Sequence, residues 1–189
     1  MTRSRRSLFV DYEEAVRTMS LTLKNIIVNT CYYLITAVLL PAGVLSIEQR
    51  LGVGGYRSVL LGSFAIIVGL VGAILQARCI MLFHREGRGT PSPAFPPQRL
   101  VTTGPYAWVR NPMNWGELLV FLGLAGWFGS PLLAAYAAFA WIAFHAFIVA
   151  WEEPRLSTTF RADYDRYRSA VPRWRPKKPI SDDDRSNRA

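Results

Sequence analysis

The chain has 189 residues, 51% of them hydrophobic, and its formal net charge is +9. This length predicts a single domain, which we expect to cover residues 1–180 and to leave a disordered tail at 181–189. The positive charge alone would suit a nucleic-acid-binding protein. The basic residues, however, flank long apolar blocks, and this distribution indicates a membrane as partner and excludes nucleic acid.

The apolar residues fall into four blocks whose length approaches the roughly 20 residues needed to cross a hydrocarbon core of about 30 Å. The predicted spans cover residues 26–47, 58–83, 115–128 and 132–151. The third block is short unless its helix begins near Met113. The sequence therefore predicts an all-α, polytopic membrane protein with about four transmembrane helices.

The basic residues also predict how the spans are oriented. Alternate segments between the blocks hold 20 and 2 of the 22 Lys and Arg residues, so the positive-inside rule places both termini and the long middle loop in the cytoplasm. The first block is too long for the core of a signal peptide, so we expect an anchor that stays. Arg outnumbers Lys by 19 to 3, which is typical of a GC-rich bacterial genome and favours a bacterial inner membrane.

Local patterns predict how the helices meet. Gly62, Gly69, Ala73 and Ala77 form a small-residue stripe suited to close helix approach. The Gly- and Pro-rich stretch 86–98 is either a lid over a binding site or a flexible linker. Gly129-Ser130-Pro131 is a tight turn, which predicts an antiparallel hairpin of the last two spans, followed by a cytoplasmic helical tail. Cys31 and Cys79 fall inside predicted spans, so we expect neither a disulfide nor a metal site.

Polar residues stand at both open ends of the predicted hairpin. Asn111 and Pro112 suit a helix start, by capping and by the fixed backbone of proline. Capping alone would explain them, but a helix N-terminus also binds anions. Arg110 would either clamp a carboxylate or extend to lipid phosphate. Glu117, just inside the third span, would support the helix start or point into a cavity.

Glu152 and Glu153 close the fourth span, where the helix dipole and the membrane both disfavour carboxylates. Either an Arg of the tail or a cationic ligand group would stabilise them. His145 precedes Glu152 by two helical turns, so the two are predicted to share a face. It would bond a neighbouring helix or take part in proton transfer. With Arg110, these residues predict a site for a small zwitterion.

Six motifs in a fixed order carry a resemblance to a known superfamily. They are Gly104-Pro105-Tyr106, Val109-Arg110-Asn111-Pro112-Met113, Phe144-His145, Glu152-Glu153-Pro154-Arg155-Leu156, Tyr164-Asp165-Arg166-Tyr167 and Val171-Pro172-Arg173-Trp174. In this order they resemble the bacterial branch of the isoprenylcysteine carboxyl methyltransferase and phospholipid methyltransferase superfamily. The resemblance covers residues 87–176.

That resemblance implies an integral membrane enzyme that uses S-adenosylmethionine, held mostly by the C-terminal half, and a lipophilic small-molecule or lipid acceptor. The acceptor would present a carboxylate, an amine or a thiol, and an amine would need a base such as His145, Glu152 or Glu153. The residues that match the superfamily's cofactor motifs, or stand in the Gly-Pro-Tyr motif, are Tyr106, Arg110, Asn111, Pro112, Glu152, Glu153, Tyr164 and Tyr167.

Three positions depart from the superfamily pattern. Asn111 replaces the usual His and cannot act as a base, Asn114 stands where a Tyr is common, and Arg161 stands where a Gly often follows the Phe. Two other interpretations stay open at this point: a membrane reductase of the steroid-reductase type that uses NADPH, and a non-catalytic membrane protein of the same fold. The sequence does not predict the oligomeric state.

Overall fold

The computed structural model describes residues 23, 26–27, 30–53, 55, 58–89 and 97–178. Its described part is built of helices and contains no strand, which confirms the all-α prediction. Helix α1 covers Thr30–Leu51, α2 Val59–Arg85, α3 Pro112–Phe128, α4 Pro131–Phe160 and α5 Ala162–Ala170. A 3-10 turn at Gly104–Ala107 precedes α3. The basic segment before residue 23 and the predicted tail at 181–189 lie outside the described residues.

Three of these helices, α1, α2 and α4, are long and apolar enough to cross a membrane. Helix α3 has 17 residues, a length of about 25 Å at the usual helical rise. It begins at Pro112 rather than at residue 115, because proline fits the first helical position. Large apolar side chains on α2 and α4, such as Leu60, Phe64 and Phe139, are exposed, as expected for surfaces that face lipid.

Helices α2 and α3 pack against each other through glycine. A Cβ atom added to Gly123 would lie 2.7 Å from the Cα of Gly69, and one added to Gly116 would lie 2.8 Å from the carbonyl oxygen of Gly72. No side chain larger than hydrogen therefore fits at these crossings. This close approach holds the first turns of α3 against α2 and so fixes one wall of the cavity described below.

The prediction of a small-residue stripe on α2 is confirmed for Gly62 and Gly69, which face α3. It is wrong for Ala73 and Ala77, which are exposed. The packed face continues instead through residues at alternating spacings of three and four. These residues are Gly62, Ala65, Gly69, Gly72, Gln76 and Cys79. Repeated spacings of four residues move progressively around the helix, whereas alternating spacings of three and four residues stay on one face.

Two breaks in helical regularity shape the C-terminal half. Helix α4 contains a π-helical segment at Ile148–Glu152, and Arg161 between α4 and α5 has a φ of 46°. Such a positive φ costs an L-residue about 1–2 kcal/mol, whereas glycine adopts it without this cost. The bend at Arg161 turns α5 across the end of α4, and the remaining segment 171–178 runs back to the start of α3.

Candidate functional site

A cavity of about 470 Å³ lies between α1, α3, the second half of α4 and α5. This volume is in the range of small-molecule and cofactor sites. Its wall is mostly apolar, through side chains such as Phe144, Phe147 and Ile148. The polar side chains converge from separate elements of the chain. They are Tyr32, Tyr33, Tyr106, Arg110, Asn111, Asn114, Glu117, Glu152, Glu153, Arg155, Thr159, Tyr164 and Tyr167.

Asn111 stands immediately before the first residue of α3, but its side chain does not cap the helix. Its Nδ2 instead donates a hydrogen bond to the carbonyl oxygen of Arg173, at 3.2 Å. The Arg110 amide likewise donates to the carbonyl of Pro172, at 2.9 Å. These two bonds tie the C-terminal segment to the start of α3. Because its side chain leaves the first amides of α3 uncapped, this helix end keeps the donors that favour an anion.

Arg110 is the central cation of the site. Its Nη1 lies 3.0 Å from Oε1 of Glu153 and donates to the Tyr164 hydroxyl at 3.1 Å. Its side chain is 11% exposed. Its Nε is fully buried and has no hydrogen-bond partner among the described residues. A buried donor without an acceptor is costly, so an acceptor supplied by a ligand would stabilise this arrangement.

Glu153 is bound by two arginines. Arg173 donates from Nε to Oε1 at 2.6 Å and from Nη2 to Oε2 at 2.8 Å, a two-pronged pairing. The hydrogen bonds that Arg173 donates to Glu153 raise the pKa of Arg173 above its usual value, so this guanidinium stays charged. An arginine of the C-terminal segment thus stabilises Glu153, which is the structural alternative that the sequence left open.

Glu152 has a different environment from its neighbour. It lines the cavity, yet it makes no hydrogen bond or ion pair with any other residue that the structure describes. It is the last residue of the π-helical segment, and π-helical turns are frequent at functional sites. Its carboxylate therefore remains open to a cationic group in the cavity.

His145 lies away from this group. Its side chain does not line the cavity, the residue is exposed, and its Nδ1 accepts a hydrogen bond from Nε1 of Trp174 at 3.0 Å. The expectation that it shares a face with Glu152 assumed a regular α-helix. The π-helical segment Ile148–Glu152 intervenes and changes the register. The structure brings together the other predicted site residues but not His145.

Three tyrosines support the charged residues. Tyr164 is 2% exposed and accepts the bond from Arg110, while the Tyr167 hydroxyl donates to the carbonyl oxygen of Tyr106 at 2.8 Å. Burial raises the pKa of Tyr106, Tyr164 and Tyr167 above the ordinary value, so all three stay neutral. Pro112 is fully buried behind them at the start of α3.

Two sets of residues were given no role from the sequence. Arg173 belongs to the Val-Pro-Arg-Trp motif, but only the return of the chain after α5 reveals its pairing with Glu153. Tyr32 and Tyr33 lie in the first predicted span, and both line the cavity. The polarity of that span was the available signal. Pro97, in the loop 86–98, lines the cavity. Residues 90–96 of this loop are not described, so the role of the loop as a lid stays a prediction.

The comparison with protein families gives one match. A family model described as phospholipid methyltransferase matches residues 59–163, more than half of the chain. The matched segment contains α2, α3 and α4, and with them Arg110, Glu152 and Glu153. A comparison with curated proteins found no match.

Proposed function

The chain belongs to the phospholipid methyltransferase family, within the isoprenylcysteine and phospholipid methyltransferase superfamily, and on this premise we propose that it transfers a methyl group from S-adenosylmethionine to a lipophilic acceptor. The family implies methyltransferase activity in general and generally uses this cofactor. The three long apolar helices of this chain fit an integral membrane protein, and the family fits a lipid substrate.

One observation carries the proposal for the cofactor. Glu152, a carboxylate without a partner among the described residues, and Arg110, whose buried Nε lacks an acceptor, line the same cavity. The amino-acid end of S-adenosylmethionine has an ammonium and a carboxylate, which match these two open groups in charge. The donor set therefore fits the cofactor. A purely structural ion network would be expected to satisfy its own buried groups.

We assign the roles as follows. Arg110 and the start of α3 at Asn111 and Pro112 bind the carboxylate, and Glu152 binds the ammonium. Glu153 holds Arg110 in position, with Tyr164 on the other side of the guanidinium. Tyr106 and Tyr167 close the wall beside them. When bound, the cofactor supplies an electrophilic methyl group on a sulfonium. The protein's contribution is to align this group with the acceptor and to exclude water.

The apolar wall supports an acceptor that enters from the bilayer. Phe144, Phe147, Ile148 and Trp151 follow one another along α4 on the cavity side. The charge distribution along the sequence favours a cytoplasmic position for the polar end, where the cofactor is available. His145 has no part in this proposal because it lies outside the cavity.

Equilibrium binding of radiolabelled S-adenosylmethionine to the purified protein in nanodiscs tests the cofactor, with NADPH as the competing ligand. We expect S-adenosylmethionine to bind and NADPH not to bind. Glu152→Gln and Arg110→Ala should each weaken binding about 10- to 100-fold, as expected for the loss of a hydrogen bond to a charged group. Asp165→Asn and Arg166→Ala, which change exposed residues of α5, are the matched controls.

Three outcomes would contradict the proposal or one of its assignments. Binding of NADPH in place of S-adenosylmethionine would favour the reductase interpretation. No binding of either ligand would favour a non-catalytic protein of the same fold. Normal affinity in Glu152→Gln or Arg110→Ala would refute the assignment of that residue while leaving the cofactor itself established.

A further inference from the structure

We infer that the protein has a second ligand site, a basic pocket beside α5, and that this pocket binds the phosphate group of an anionic phospholipid. The basic pocket has a volume of about 620 Å³. Its charged lining consists of Arg99, Asp163, Arg166 and Lys178. The inference uses neither the methyl donor nor the acceptor, so it goes beyond the proposed function and does not depend on it.

The basic pocket shares a wall with the cavity of the candidate site but no charged side chain. Leu100, Phe160 and Tyr167 line both. Tyr167 is 9% exposed, and its hydroxyl donates to the carbonyl oxygen of Tyr106, a residue that lines the cavity and not the basic pocket. The basic pocket is therefore a separate site, with its own charges.

These charges leave an excess of positive charge in the basic pocket. Arg166 pairs with Asp163 within α5, so their charges compensate each other. Arg99 and Lys178 form no ion pair with any residue that the structure describes. Two uncompensated cations in one concave site attract an anion, because the low-dielectric walls focus their field.

Backbone hydrogen bonds bring these two cations together from distant parts of the chain. The Arg99 amide donates to the carbonyl oxygen of Gly87 at 3.2 Å, which fixes the loop before the 3-10 turn. The Lys177 amide donates to the carbonyl oxygen of Trp108 at 2.9 Å, which fixes the C-terminal segment next to Lys178. Like charges that face one pocket repel each other. An anion bound between them would reduce this repulsion.

The rest of the lining suits a phosphate that carries an apolar group. Gln98 and Thr102 add polar side chains that can donate hydrogen bonds to phosphate oxygens, and Arg and Lys are frequent phosphate ligands. Leu100, Ala107 and Val171 supply apolar surface beside them. A phosphate ester would use both kinds of surface, whereas inorganic phosphate would use only the polar one.

The position of the basic pocket along α4 favours a lipid as the source of the phosphate. Helix α4 has 30 residues and a length of about 45 Å, which is close to the thickness of a bilayer with its head groups. Phe160, the last residue of α4, lines the basic pocket, so the pocket lies at the level of the head groups. A zwitterionic head group is disfavoured because its ammonium would meet Arg99 and Lys178.

Native mass spectrometry of the full-length protein in an uncharged detergent tests the inference, because it counts bound lipid molecules. The protein is titrated with dioleoyl phosphatidylglycerol, with dioleoyl phosphatidylcholine and with inorganic phosphate. We expect a single phosphatidylglycerol to bind at least about tenfold more tightly than phosphatidylcholine. Inorganic phosphate in excess should not displace it.

Substitution of the two cations should weaken this binding. Arg99→Gln and Lys178→Gln should each reduce the affinity for phosphatidylglycerol about fivefold, the factor that corresponds to the contribution of one basic residue near anionic lipid. The matched controls are Arg85→Gln and Lys177→Gln, which remove the same charge at exposed positions that line neither the basic pocket nor the cavity. Both should bind phosphatidylglycerol as the wild type does. Elution of all four variants with the wild type in gel filtration shows that they fold.

The inference is overturned by any of three results. An equal loss of affinity in Lys177→Gln and Lys178→Gln would show that phosphatidylglycerol binds the basic surface as a whole and not this pocket. Equal affinity for the two lipids would mean that Arg99 and Lys178 do not select an anionic head group. Displacement of phosphatidylglycerol by inorganic phosphate would identify a soluble phosphate, and not a lipid, as the occupant.

Discussion

Removal of the Arg173 side chain is the sharpest test of the charged group at the start of α3. Arg173→Ala deletes both guanidinium bonds to Glu153, at 2.6 and 2.8 Å. It leaves intact the backbone carbonyl of residue 173 that accepts from Asn111. The substitution therefore removes the ion pair without removing the backbone contact between the C-terminal segment and α3.

The magnitude follows from burial and geometry. A hydrogen bond to a charged group contributes about 1.5–3 kcal/mol when buried. The Arg173 side chain is 30% exposed and that of Glu153 is 16% exposed, so solvent screens part of the interaction. Arg110 remains on Glu153 after the change. We therefore expect a loss of about 2 kcal/mol, which corresponds to about 4–8 °C in Tm for a chain of this size.

Unfolding can be followed through the reactivity of the Cys79 thiol. It is fully buried against Val101 and Tyr106, whereas Cys31 is exposed. In a Cys31→Ser background, a dye that fluoresces on reaction with thiols reports unfolding in detergent through Cys79. Arg173→Lys, which keeps the charge but loses the two-pronged geometry, should fall between Arg173→Ala and the wild type.

Arg175→Ala, at an exposed position two residues away, is the matched control and should melt with the wild type. A Tm for Arg173→Ala equal to that of Arg175→Ala would refute the reasoning. It would mean that Arg110 alone stabilises Glu153 and that the C-terminal segment is held by its backbone bonds.

Three further predictions follow from the structure. Gly123→Ala should lower the Tm in the same assay because its Cβ would lie 2.7 Å from the Cα of Gly69, whereas Gly43→Ala, with nothing within 4 Å, should not. His145→Gln should keep S-adenosylmethionine affinity and the methyl-transfer rate within about threefold of wild type; a loss comparable to that of a general base, about 100-fold, would place the proton chemistry at His145 after all. Burial raises the pKa of Tyr164 above its unfolded value, so its stabilising effect is full below about pH 10 and is lost as pH rises further. Tm should therefore fall above pH 10, and it should fall less in Tyr164→Phe.

The sequence predicted those features that depend on local pattern. Apolar blocks gave the helices, and proline and glycine gave their ends at Pro112 and Gly129. The ordered motifs placed Arg110, Glu152 and Tyr164 in one site, which the cavity brings together. These features are predictable because each depends on residues close in sequence or on motifs of known order.

Features that depend on helical register or on chain reversal were not predicted. Ala73 and Ala77 were assigned to the packed face of α2 because steps of four were followed without the alternating step of three. His145 was aligned with Glu152 because nothing in the residue types signals the π-helical segment between them. The pairing of Arg173 with Glu153 depends on a bend at Arg161, whose positive φ is atypical of arginine.

The two adjacent glutamates show why composition alone does not assign a role. Both are carboxylates at the end of an apolar segment, so the sequence gives them the same cost and the same two possible partners. The structure separates them: Glu153 is bound by two arginines, and Glu152 faces the cavity without a partner among the described residues. A residue whose charge is already compensated has little to gain from a ligand, whereas an uncompensated one gains a full ion pair. On the proposed function, Glu153 therefore mainly positions Arg110, and Glu152 is the residue whose pairing with a ligand would add binding energy. Glu117 on α3 also lines the cavity and forms no ion pair among the described residues, so the cavity has a second place where a positive charge would be stabilised.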